Sequence, residues 1–241
     1  MAYNFLGLVN DVNRRVNETA LTSSNFSTAV GFYGTAKDAI NNSIHQINQD
    51  TFQWPFNFVE QEDTLTAGDL RYDWPTGAKN IDWNTFRVKR DVTFGNPTNS
   101  LKPMDYEQYL RNYVDDEYNT SNTGIRGVPN KVCQAPGYQY IVHPAPKEAY
   151  TLVYEYYQTP IEMELFSDIP SIPQDFRHII VDGAMYHVHV FRNNDQAAQV
   201  ALSKFQEGIN HMRTLYVNRY EYVRDSRVAQ PSLGVISKRV S

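Results

Sequence analysis

A chain of 241 residues with 41% hydrophobic and 20% charged side chains is large enough for one large or two modest domains, and its composition excludes disorder throughout. Its single cysteine, Cys133, excludes an internal disulfide and suits a reducing compartment. The net charge of −5 is unevenly spread: from Arg213 to Ser241 six basic residues face two acidic ones, so the rest carries about −9 and is a poor candidate for gripping nucleic acid.

The opening apolar stretch, residues 5–9, is too short and too closely followed by Asp11 and Arg14 for a signal peptide. No window approaches the ~20 apolar residues of a membrane span. The expected setting is therefore a cytoplasm. Tyrosine is abundant, with 17 copies beside 12 Phe and 3 Trp. Tyr combines large contact area with a polar tip, which suits half-buried surfaces and interfaces, while strand-rich segments account for part of the excess.

In chain order, Phe5, Val9, Val12 and Val16 recur at helical spacing and predict a helix over 4–16. Ser23 or Ser24 then caps a second predicted helix over 24–48, with the stripe Phe26, Val30, Tyr33, Ile40, Ile44 and Ile47. Between about 51 and 165 the pattern shifts to β-favouring residues punctuated by Pro and Gly. Strands are predicted at 64–66, 70–74, 81–89, 131–133, 139–143 and 150–158. The run TLVYEYY at 151–157 is the strongest of these and is expected at the centre of a sheet. Met104, Tyr109 and Tyr113 predict a short helix within 103–113, and the polar stretch 115–127 reads as an exposed loop.

Helix returns at 172–192. Ser171 with Gln174 three residues on, and Pro173 between them, has the form of a capping box. Asn193, Asn194 and Asp195 break that helix and start another at 195–218, with the stripe Ala198, Ala201, Phe205, Ile209, Met212 and Tyr216. Residues 222–241 are basic, aperiodic and unable to build a core alone. The fold class implied is α+β. A helical bundle from both chain ends (1–50 and 166–220) holds an inserted β-rich domain (51–165), followed by an extended C-terminal tail (221–241).

Residues suited to catalysis are scattered. His187 and His189 point about 200° apart on a helix, so they do not share a ligand position. His178 and Asp182 can face one another, but a metal site needs further ligands. Cys133 as a nucleophile requires a nearby base, and His143 on a neighbouring strand is the only local candidate; a small buried thiol is the simpler reading. The motifs HExxH, GxSxG, GxGxxG and the P-loop are all missing from the sequence. No cofactor, metal or enzymatic activity is expected. The tail has a more consistent character: Arg219, Tyr220, Tyr222, Arg224, Arg227, Lys238 and Arg239 interleave the residue types that anchor protein interfaces. A frayed, solvated terminus and a nonspecific nucleic-acid arm are the competing readings.

The order of elements resembles the head-to-tail adaptor proteins of short-tailed phages. The likeness is carried by YNFLGLVNDVNRRVNE at 3–18, by YTLVYEYYQTPIEMELFSDIPSIPQDFRHIIVDGAMYH at 150–187, and by 193–213. Pro173 and Phe176 open a helix bearing the Gly183–Ala184 pair, as in that family. The resemblance implies a virion protein of the tail or neck, assembled in the host cytoplasm, that forms a dodecameric ring beneath the portal. Such a ring extends the DNA channel used in ejection and carries the nozzle and tail fibres, with the C-terminal segment embracing the portal. Twelve copies would carry about −60 in all, which repels DNA rather than holding it. Acidic or neutral side chains are therefore expected along the lumen, with DNA passing unbound. Two other readings stay open at this point: a virion-associated cell-wall hydrolase, which a zymogram would reveal, and a different nozzle or tube subunit.

Overall fold

The computed structural model describes residues 3–49, 52–90, 98–118 and 125–216, and they form a mixed α+β fold. Helix α1 spans Phe5–Arg15, α2 Phe32–Gln49, α3 Tyr106–Asn112, α4 Val114–Tyr118, α5 Arg177–Phe191 and α6 Asp195–Tyr216. Strands β1 (Phe58–Leu65), β10 (Tyr150–Gln158), β3 (Ala78–Lys89) and β4 (Asn99–Ser100) lie in that order in one sheet. A second sheet orders β2 (Arg71–Asp73), β8 (Gln139–His143), β7 (Lys131–Ala135) and β5 (Lys102–Pro103). A small parallel pair joins β6 (Arg126–Gly127) to β9 (Ala145–Pro146).

Most positions of the predicted helical stripes are buried, although Phe191 at the end of α5 is 58% exposed. In α1 the Asn4 side chain accepts from the Gly7 N–H at 2.9 Å, while Phe5, Leu8, Val9 and Val12 face inward. Arg14 and Arg15 occupy its last turn, where cations suit the helix dipole. Phe5, Leu8, Val9 and Val12 share one hydrophobic cluster with Ile40, Ile44 and Ile47 of α2, Ile179, Ile180 and Val188 of α5, and Phe205 and Met212 of α6.

Close approach at that cluster depends on Gly183. A Cβ there would stand 2.3 Å from Ser43 Oγ and 2.6 Å from the Phe205 ring. Ser43 uses the space to donate to the Ile180 carbonyl at 2.9 Å.

The second helix starts later than its apolar stripe predicts. Asn25 and Thr28 turn their side chains onto neighbouring backbone groups, a local alternative to helix. Gly31 then takes φ +68°, and α2 begins only after it. Val30 is accordingly 80% exposed instead of continuing the stripe, whereas Phe26 is buried against Phe5. The capping box at Ser171 is also replaced. Ser171 Oγ bonds Asn57 Oδ1 at 2.9 Å, and α5 is entered through a 3-10 turn at Gln174–Phe176 with no side-chain cap.

In the β region the TLVYEYY segment is central, paired on one side with β1 and on the other with β3. β1 is longer than the three residues expected. Its outward face carries Glu60 and Glu62, which hide the alternation and pair with Arg87 and Lys89 two strands away. The two sheets meet through Phe86, Tyr140 and Tyr154, with Phe86 and Tyr154 stacked at 4.4 Å. Tyr140 and Tyr154 both donate to Asp63 Oδ2, at 2.8 and 2.7 Å, so this carboxylate ties both sheets together.

Candidate interaction surfaces

The residues with catalytic potential do not converge. Cys133 pairs across the ladder with Ile141 and packs against Tyr109 of α3, while His143 lies opposite Lys131. Burial pushes the Cys133 thiol up to about 11, the reverse of what a nucleophile needs. His143 is engaged elsewhere: its Nε2 lies 3.0 Å from Asp116 Oδ2, and its ring packs on Tyr113 at 4.2 Å. Asp182 turns to Arg15 of α1. Burial lowers the pKa of His187 and of His189, and the His187 Nε2 atom is buried with no hydrogen-bond partner. Among the described residues, no three His, Cys, Asp or Glu side chains group closely enough to hold a metal ion, and no helix is long and apolar enough to cross a membrane.

Residues 115–118, read from the sequence as exposed loop, belong to α4 and are held down by side-chain bonds. Glu117 receives both the Nε and Nη2 of Arg71, the latter at 3.0 Å, and the Tyr109 hydroxyl at 3.0 Å. The Arg71 bond holds the Glu117 carboxyl below the ordinary range, and Glu117 in turn raises Arg71. Lys131 donates to the Tyr113 hydroxyl and lies 4.3 Å from the centre of its ring. The acidic run was legible; its partners, distant in sequence, were not. Residues 119–124 of the expected loop lie outside the described residues.

Two further surfaces stand out. The first is the 159–170 segment between β10 and α5. It has no regular secondary structure, yet it is firmly held. Asn41 donates to the Met163 carbonyl at 3.0 Å and accepts from the Met163 N–H at 3.3 Å. Asp168 accepts from the amides of Glu164 and Leu165 at 2.8 and 2.7 Å. The carbonyls of Asp168 and Phe166 take the otherwise unpaired N–H groups of Phe5 and Leu6 at the start of α1. On this fixed frame Ile161, Leu165, Phe166 and Ile169 face solvent beside the exposed Glu162 and Glu164. Apolar side chains in a proline-bounded, aperiodic stretch were the available sequence signal.

The second surface is a cleft of about 500 Å3 where Arg15, Met185 and His189 meet Ala197, Val200 and Lys204. Apart from these, a hollow of about 570 Å3 lies between β7 and the start of α3 and is lined by Trp83, Met104, Tyr106 and Cys133 among others. The predicted tail contacts Arg219, Tyr220, Tyr222, Arg224, Arg227, Lys238 and Arg239 all lie outside the described residues, as do the last two positions of the helix expected over 195–218.

The described residues form an α+β fold with exposed apolar side chains and no convergent catalytic constellation among them. The family model described as SU10 adaptor protein matches residues 3–231. The chain belongs to that family, a family of phage structural adaptors and not of enzymes. None of the curated proteins compared with it matches.

Proposed function

We propose that this chain is the head-to-tail adaptor subunit of a short-tailed phage. In this reading about twelve copies form a ring under the portal, extend the DNA channel, and give the nozzle and tail fibres their platform. The observation that carries it is the adaptor-family match across residues 3–231. The shared cluster of α1, α2, α5 and α6 supports a bundle from both chain ends as the ring wall. The region 51–165, with its hollow beside β7, would meet the next tail component. The segment 221–241 would dock on the portal, its aromatic and basic side chains supplying area and charge pairs. DNA passes through without specific contacts, along a wall that is acidic or neutral.

Analytical ultracentrifugation of the purified chain, alone and with its portal, tests this directly. Co-sedimentation as a ring on the portal, lost on truncation after Tyr222, supports both the adaptor role and the tail's part in it. A chain that ignores the portal removes the adaptor reading. A truncated chain that binds equally well keeps the role and removes the tail's part.

A further inference from the structure

The segment 159–170 and the cleft between α5 and α6 lie at opposite ends of α6. Tyr216, the last residue of α6, packs on Phe56 at 5.9 Å, and Phe56 lines the hollow that Ile161 and Ile169 also border. Lys204, on the rim of the cleft, is twelve residues earlier on the same helix, roughly 18 Å along its axis at ~1.5 Å per residue. The loop is therefore too far away to fill the cleft of its own copy.

The two features are nevertheless complementary. The loop presents Leu165, 63% exposed, with Phe166 beside it, and it is tied down by the bonds to Asn41 and α1. The cleft is concave and offers Met185, Ala197, Val200 and Ala201. Glu162 and Glu164 flank the apolar tip of the loop. Lys204 flanks the cleft, where Arg15 and Asp182 neutralise one another. Among the described residues, neither glutamate nor Lys204 makes an ion pair within its own copy. An exposed apolar patch flanked by acidic side chains and an apolar hollow flanked by a lysine have the complementary character that an interface needs.

We infer that copies of this chain join head to tail, the loop around Leu165 and Phe166 of one copy seating in the α5–α6 cleft of the next, with Glu162 and Glu164 meeting Lys204. Such a contact uses two different patches, so it propagates from copy to copy and closes into a ring when the rotation allows. This rests on the ring reading above and gives it a specific interface.

The test uses full-length chain under conditions where sedimentation shows assembly, alone or on the portal. Leu165→Cys and Val200→Cys are made singly and together, and each is checked by near-UV circular dichroism against the parent. A short bismaleimide is then added; buried Cys133 is controlled by the parent chain. A mixture of the two single variants gives covalent dimers, each single variant alone gives none, and the double variant gives a ladder of higher multiples. Lys204→Glu weakens self-association about tenfold, and mixing it with Glu162→Lys/Glu164→Lys chain restores part of that loss. Assembled chain that yields no mixed dimer overturns the inference and leaves the ring standing. Dimers from Leu165→Cys alone overturn it in favour of a two-fold contact. Intact self-assembly with portal binding lost in Phe166→Ser also overturns it, and assigns the loop to the portal. Chain that fails to assemble in either setting is seen at the sedimentation step, and removes the ring reading and this interface together.

Discussion

Arg177, in the first turn of α5, donates from Nε to Asp11 Oδ2 of α1 at 2.6 Å and from Nη2 to the Gly7 carbonyl at 2.9 Å, joining α5 to α1. Both side chains are largely screened from water, at 17% and 20% exposure. Removing one partner leaves a poorly solvated charge, so Asp11→Ala is expected to cost about 2 kcal/mol. For a chain of this size that lowers Tm by roughly 4–8 °C. Thermal unfolding followed by circular dichroism measures it, and a shift under about 1 °C would show that the pair contributes nothing.

That pair also marks how much of the fold could be read from sequence. The apolar stripes in α1, α5 and α6 and the β-branched and aromatic run in β10 were legible because burial imposes a period of 3.6 or 2 on side-chain character. Where polar groups bond locally, the period misled. Val30 sits on the predicted stripe but is exposed, because Asn25, Thr28 and Gly31 delay the helix. β1 went mostly unread because Glu60 and Glu62 replace apolar residues on a face stabilised by ion pairs to β3 of the same sheet. The candidate contact surfaces were less legible still. Arg71 and Glu117, or Asn41 and Met163, are brought together by topology alone, and no local pattern encodes such a meeting. Cys133 was readable as a buried thiol from its residue type and neighbours.

At Gly183 of α5, Ser43 of α2 and Phe205 of α6 approach closely. In Gly183→Ala the new methyl would stand 2.3 Å from Ser43 Oγ and 2.6 and 2.8 Å from two atoms of the Phe205 ring, so helices or ring must shift. Overpacking of this kind costs typically about 1–3 kcal/mol, which offsets or exceeds the ~1 kcal/mol that helix propensity returns. Gly34 is the control. It lies in α2 with nothing within 4 Å of an added Cβ, and Gly34→Ala is expected to be neutral or mildly stabilising. Urea denaturation of both variants decides the matter: equal midpoints for the two would refute the tight-contact argument.

α4 depends on Glu117. In Glu117→Ala the two Arg71 bonds and the Tyr109 bond are lost, and the expected loss is about 1–2 kcal/mol, moderated because both ionic partners are partly exposed. The larger effect should be local, with faster amide exchange confined to 114–118. The pH dependence has a definite sign. The folded carboxyl titrates below its ordinary value, so its stabilisation is complete above the unfolded pKa near ~4.3 and disappears as pH falls through the folded one. Acidification should therefore release α4 in the parent and change little in Glu117→Ala. Exchange at these amides that is independent of pH 3–5 in the parent, once corrected for intrinsic rates, would contradict this.

His187 gives the opposite end of the accessible pH range its own test. Its Nε2 is buried without a partner, and burial lowers its pKa; for His189 burial acts with Arg192 nearby in the same direction. A histidine that resists protonation when folded takes up its proton on unfolding. Stability therefore rises with pH below the unfolded value of ~6.5 and levels off above it. The urea midpoint of the parent chain should increase between pH 5 and pH 7. His187→Leu removes the group that resists charging, so its rise over the same interval should be smaller, while its midpoint at pH 7 stays close to the parent's because the lost imidazole makes no hydrogen bond through Nε2. A rise of equal size in the two chains would assign the pH dependence to other groups, with His189 the next to replace.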